Sequence, residues 1–210
     1  EATNDGFVIE TAIVPAGDTP HYMPEGKSVI TKYIVDIPTG RLLGAQCWGP
    51  GKVDKVIDTL VATITLKGTI EDVQQLDLAY APPFGPPLGN ATTAANVMHN
   101  KLSGRTDGIS PTELIQRKEA GENIVVLDVR PPEGRAQVCT PDGLNIPMGE
   151  LRKRLGEVPK DKMVVTTCNV GLNASVAHLI LKQNGFANTR FLDGGVTAWP
   201  NPLPGPAAKG

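Results

Sequence analysis

Apolar residues follow two different rhythms along the chain, and the places where the rhythm changes divide it into elements. Residues 7 to 14 and 28 to 37 are rich in β-branched side chains, Pro38-Thr39-Gly40 is a turn signal, and Arg41 to Trp48 returns as a third strand. This predicts an antiparallel meander. From Lys52 the period lengthens: Val53, Val56, Ile57, Leu60, Val61 and Ile64 fall on one face of a helix ending near Gly68. Thr69 and Asp72 have capping-box spacing and open a short second helix. Ala81 to Gly89, rich in Pro and Gly, predicts an irregular loop, and Ala91 to Leu102 a third helix closed by Gly104.

Ser103 to Gly108 is small, polar and charged, which predicts a linker over 105–109 between a first domain, 1–104, and a second, 110–205. Ser110-Pro111-Thr112-Glu113 combines an N-cap, a proline at the first helical position and a capping-box Glu, and Gly121 supplies the stop. Ile124 to Leu127 is a continuous apolar run, as in a strand buried on both faces, and it ends in Asp128-Val129-Arg130. Leu144 to Pro147 reads as a short strand, Gly149 to Val158 as a helix, Val164 to Thr167 and Phe191-Leu192 as strands, and the residues up to Trp199 as a short helix. The fold class is therefore an α+β domain, an antiparallel meander plus helices, followed by an α/β domain with a mostly parallel sheet.

One stretch concentrates the chemistry. Met163 to Gly185 reads as strand, Gly-containing loop and helix, which places Cys168 at the C-terminal end of a buried strand and at the mouth of a helix. Sites in parallel sheets form at the carboxyl ends of strands, and backbone N–H groups converge at helix starts. A thiol there is a candidate nucleophile.

Composition narrows the choices. With 20 basic against 22 acidic residues, no electrostatic footprint for nucleic acid or an anionic membrane is present. No apolar run reaches the ~20 residues of a spanning helix, and the N-terminus lacks a signal-peptide pattern. Cys47, Cys139 and Cys168 are too far apart for a secreted disulfide framework or a paired-ligand zinc site, and His21, His99 and His178 are equally scattered. A reducing, cytoplasmic setting without a metal site is the expectation. The chain begins with Glu1 rather than Met, as a processed or partial chain does.

Gly40 to Gln46, Val53 to Asp58 and Leu76 to Phe84, with its Ala79-Tyr80-Ala81-Pro82-Pro83-Phe84 string, resemble the dimerisation domain of flavin-dependent pyridine nucleotide-disulfide oxidoreductases, in the coenzyme A disulfide reductase branch. The resemblance covers roughly residues 5 to 104. It implies a homodimer in which a tyrosine of this string, matched by Tyr80, reaches the partner's active site. Tyr22 matches a second such tyrosine, although on its own residues it reads more simply as a half-buried tyrosine hydrogen-bonded at the surface. No Gly-x-Gly-x-x-Gly follows a strand, so FAD and NAD(P)H are implied only for a full-length reductase, not for this chain alone.

The second half resembles the rhodanese domain. Leu127 to Arg130, Leu144 to Pro147, the Cys-x-x-Gly loop from Cys168 to Gly171, and Leu192 to Gly195 followed by Trp199 occur in the family's order and spacing. The resemblance implies sulfur transfer through a persulfide on Cys168, with Asn169, Val170, Gly171, Leu172 and Asn173 presenting backbone amides to a negative sulfur. Asn173 stands where the family commonly has arginine, which favours neutral persulfide, polysulfide or coenzyme A persulfide over anionic donors. Asp128 and Arg130 are expected to order the loop. Cys47 reads as core, Cys139 as an exposed loop thiol with a possible resolving role, and His178 as a surface or packed residue too far along its helix to act as base. The competing function is a dimerising interaction module with a weak or inactive rhodanese-like domain. A phosphatase-like reading ranks last, because that loop is longer and closed by arginine.

Overall fold

The computed structural model describes residues 2–138 and 143–200. It divides into two compact units, Glu1–Arg105 and Thr106–Gly210.

In the first unit β1 (Ile9–Gly17), β2 (Ser28–Asp36) and β3 (Leu42–Trp48) form the expected antiparallel meander in the order β1-β2-β3. β1 starts two residues later than the apolar run suggested and continues through Pro15, which an edge strand tolerates because one side needs no ladder partner. Three helices follow: α1 (Val53–Thr65), α2 (Ile70–Gln74) and α3 (Asn90–Leu102). They bury Leu60, Val73 and Met98 against Ala12, Val29 and Tyr33 of the sheet. Buried Tyr33 satisfies its hydroxyl by donating to the carbonyl of Ala91 at 2.8 Å. Asp18 ties the start of α1 to the β1–β2 connection, accepting from the amides of Lys52 (3.2 Å) and Lys27 (2.8 Å). The Thr69–Asp72 box forms in both directions, with Thr69 N donating to Asp72 at 2.7 Å and Asp72 N donating to Thr69 Oγ1 at 3.2 Å.

The second unit is a five-stranded, all-parallel sheet in the order β4-β8-β7-β5-β6. Its elements in chain order are β4 (Gly108–Ile109), α4 (Pro111–Glu119), β5 (Ile124–Asp128), α5 (Pro132–Gln137), β6 (Gly143–Asn145), β7 (Met163–Thr167), α6 (Leu172–Gln183) and β8 (Thr189–Leu192). The central strand β7 is buried at all five positions, which is why its sequence shows no alternation. Ile109, Leu114, Val126, Val165 and Leu192 form one core.

Three expectations are corrected. Residues 105–109, read as a linker, contribute Gly108–Ile109 to the sheet edge; a two-residue strand is too short to show a pattern. The helix expected over 149–158 is two 3-10 turns, Leu151–Lys153 and Leu155–Glu157. Leu151, Leu155 and Val158 mimic a helical face there, but Gly149, Gly156 and Pro159 prevent its continuation. Ser110 caps α4 by accepting from Glu113 N at 3.1 Å, whereas the Glu113 carboxylate closes no box and instead meets Arg117 (3.0 Å) and Arg190 (3.3 Å). Among the described residues no helix is long and apolar enough to cross a membrane.

Candidate active site

β7 carries the chain to the carboxyl edge of the sheet, where the Thr167 carbonyl accepts from Val129 N at 3.0 Å and so fixes the exit of β7 to that of β5. Cys168 follows and is only 4% exposed. The chain then turns through Gly171, whose φ of +95° suits glycine, and enters α6. The Gly171 N–H points at the thiol, 3.2 Å from Cys168 Sγ. Asn169, Val170, Leu172 and Asn173 are exposed around it, so the rim of the loop is apolar and amide-bearing and carries no charged side chain.

A second segment holds the loop from behind. The carbonyls of Cys168 and Asn169 accept from Val196 N (2.9 Å) and Thr197 N (3.0 Å) in the 3-10 turn Gly195–Ala198. Main chain meets main chain there: a Cβ on Gly195 would lie 2.3 Å from the Cys168 carbonyl oxygen and 2.6 Å from that of Asn169. With both carbonyls taken up by this turn, the amide of Gly171 is left to face the sulfur. Asp193-Gly194-Gly195 belongs to the rhodanese-like string, and the steric requirement at Gly195 gives that string its physical reason.

Asp128 and Arg130, expected to order the loop, form a buried ion pair. Arg130 Nη2 lies 2.6 Å from Asp128 Oδ2, and Arg130 Nε donates to Asp128 Oδ1 at 3.0 Å. Arg130 also donates to the carbonyl of Val138 and, through Nη1 at 3.3 Å, to Asn169 Oδ1. The guanidinium therefore pins the segment after α5 and the first loop residue beyond Cys168. Removing one member of such a pair strands a buried charge, at about 3–5 kcal/mol. Asn145 was not singled out from sequence, yet its Nδ2 donates to the carbonyls of Asp128 (2.9 Å) and Arg130 (3.0 Å).

His178 is a packed residue, fully buried on α6, where Nε2 accepts from Asp107 N at 3.2 Å and Nδ1 has no hydrogen-bond partner. Burial pushes its pKa below the usual histidine range; Asp107 opposes this and Lys182 adds to it. Cys47 lies on β3 at the margin of the first core, 3.8 Å from Thr31 Oγ1, and burial raises its thiol pKa. Cys139 lies outside the described residues. No group of three or more His, Cys, Asp or Glu side chains converges as a metal site among the described residues.

In the first unit Tyr80 lines a cavity of about 290 Å³ together with Lys52, Lys55, Phe84 and Leu88. Partial desolvation and the neighbouring Tyr80 raise the phenol pKa of Tyr22. Both rings remain solvent-facing, at 61% and 54% exposure. The two tyrosines matched separately from sequence are thus neighbours.

A parallel sheet that ends at a buried thiol and a glycine-shaped loop follows, along the chain, an antiparallel domain with two solvent-facing tyrosines, which together define a sulfur-handling α/β domain fused to an association domain. The β7–α6 turn, where a dinucleotide's phosphates sit in such sheets, carries Cys168 and its loop, and the sequence holds no Gly-x-Gly-x-x-Gly. The model of the rhodanese-like domain matches residues 110–201, and that of the pyridine nucleotide-disulphide oxidoreductase dimerisation domain matches residues 1–92. A sulfurtransferase of Allochromatium vinosum is 36% identical over 91 residues, covering 43% of this chain and 85% of that protein. A CoA-dependent NAD(P)H sulfur oxidoreductase of Pyrococcus furiosus is 44% identical over 86 residues, covering 41% of this chain and 19% of that protein. The structure of a NAD-dependent persulfide reductase from A. fulgidus aligns with a TM-score of 0.84 at 40% identity, over 94% of this chain and 35% of that one. The chain belongs to the rhodanese-like family, with that domain carried behind a pyridine nucleotide-disulphide oxidoreductase dimerisation domain. It spans about a fifth of the length of the sulfur oxidoreductases it matches.

Proposed function

We propose that the protein is a sulfurtransferase that carries sulfane sulfur as a persulfide on Cys168 and works with a flavin-dependent reductase of coenzyme A disulfide, persulfide or polysulfide. The observation that carries this reading is the Gly171 N–H set 3.2 Å from the Cys168 sulfur, in a loop whose carbonyls are tied elsewhere. A thiolate there attacks the outer sulfur of a donor R–S–SH, the bond to R–S breaks, and R–S⁻ leaves. An acceptor nucleophile then takes the outer sulfur and regenerates the thiolate. The loop amides of Asn169 to Asn173 hold the negative sulfur in both half-reactions, and the Asp128–Arg130 pair keeps the loop in shape.

The uncharged rim, with Asn173 exposed on the first turn of α6, favours neutral persulfides, polysulfides and coenzyme A persulfide. FAD and NAD(P)H act in the reductase; in this chain the contribution to that chemistry is dimerisation through the first half, with the exposed Tyr80 and Tyr22 offered to a partner's active site. The same exposed asparagine supports a second reading, an interaction module with little turnover.

Replacement of Cys168 by Ser separates the two. Incubation with a persulfide donor should add one sulfur atom to the wild-type mass, released by cyanide, and none to Cys168→Ser, whose circular dichroism should be unchanged. Sulfur retained on the variant would overturn the assignment, and an unloaded wild-type chain would favour the interaction module.

A further inference from the structure

We infer that the side-chain amide of Asn169 donates a hydrogen bond to the departing group of the sulfur donor, with Arg130 aiming it; the inference rests on the sulfurtransferase reading of Cys168. A guanidinium has donors and no acceptor, so the atom of Asn169 that meets Arg130 Nη1 at 3.3 Å must be the carbonyl oxygen. That contact fixes which way the amide faces. Its two N–H donors are the end left for another partner, on an exposed residue adjacent to the thiol.

The residue is also held by its main chain, where its carbonyl accepts from Thr197 N at 3.0 Å. Arg130 is 5% exposed and its charge is matched by Asp128, whose Oδ2 lies 2.6 Å from Nη2. Beside the thiol Asn169 therefore offers a neutral amide, oriented through its oxygen by Arg130, rather than a cation. This supplies a donor where Asn173 offers no charge.

The step it serves is balanced without an outside oxidant or reductant. A bond forms between Cys168 Sγ and the outer sulfur of R–S–SH, the R–S to sulfur bond breaks, the electron pair leaves on R–S⁻, and the proton stays on the transferred sulfur. Negative charge grows on the leaving sulfur, where a donor N–H is most useful when the parent thiol is weakly acidic. An aryl thiolate needs less help.

The test compares loading of Cys168 by an aliphatic and an aryl persulfide, followed by intact mass in the wild type, Asn169→Ala and Asn169→Asp. The aspartate keeps an acceptor for Arg130 and lacks the N–H. Both variants should load roughly 10- to 100-fold more slowly from the aliphatic donor and less than about threefold more slowly from the aryl donor. Equal slowing with both donors, restoration by Asn169→Asp, or unchanged rates would each overturn the inference and assign Asn169 to loop anchoring or to no role. A wild-type chain that takes no sulfur from either donor overturns the sulfurtransferase reading instead, and this inference with it.

Discussion

Gly195 shows how narrow the tolerance around Cys168 is. Two features demand glycine there: a φ of +57°, and backbone oxygens 2.3 and 2.6 Å from where a Cβ would stand. The first costs an L-residue about 1–2 kcal/mol, and the second forces the turn and the Cys168 loop apart. Gly121 isolates the first effect, with a φ of +82° and nothing within 4 Å of its Cβ position. Gly121→Ala should lower the denaturation midpoint modestly and leave loading of Cys168 intact. Gly195→Ala should lose stability further and slow loading by at least about tenfold, because the amide donated to Sγ is no longer held in place. Equal loading by the two variants would show that the turn does not position the loop. Cys168, Asp128 and Arg130 were legible from sequence because each sits in a short string with a fixed place at a strand end. The partners that hold them, Asn145, Val196 and Thr197, act through amides whose direction no residue letter announces.

At the scale of elements, the helix behind the loop carries a titratable group that stability should report. His178 on α6 is buried and neutral, and burial above all holds its folded-state pKa low. As pH falls through about 6.5 the unfolded chain takes up the proton first, so the unfolded state binds more protons and stability declines with acidification. Above that value the contribution is fully present. The limiting slope is about 1.4 kcal/mol per pH unit for one proton. His178→Gln keeps an acceptor for Asp107 N and removes the titration, so the fall in denaturation midpoint between about pH 7.5 and 5.5 should be smaller in the variant. An identical fall in both proteins would assign the acid sensitivity to other groups. The long helices α1, α4 and α6 were found from sequence through their apolar period, and short α2 through its capping box. β4 and α5 were not. α5 begins at Pro132, directly after the N-cap Pro131, and buries none of its six residues, so no apolar period exists to detect.

For the whole molecule, the order of motifs along the sequence marks two domain types, while the nearness of Tyr22 to Tyr80 is not legible in residues so far apart in the chain. Tyr80 belongs to the 79–84 string, and at its end Phe84 is 67% exposed while its backbone carbonyl is held by Lys52 and Lys55, each 3.3 Å away. The main chain there is fixed and the aromatic ring is presented outward, an arrangement suited to a surface that meets a second subunit. If this string lies in the interface of a homodimer, the chain should sediment as a dimer at micromolar concentration. Phe84→Asp should then weaken association at least tenfold, about 1.4 kcal/mol, by placing a charge in an apolar contact. Folding should be little affected, since an exposed side chain away from the core changes stability by about 0.5 kcal/mol or less. Loading of Cys168 should also be unchanged, because every residue shown to hold its loop lies between 128 and 197. Sedimentation velocity distinguishes the outcomes: a monomeric wild type denies the dimer, and a dimer indifferent to Phe84→Asp places its interface elsewhere than at this string.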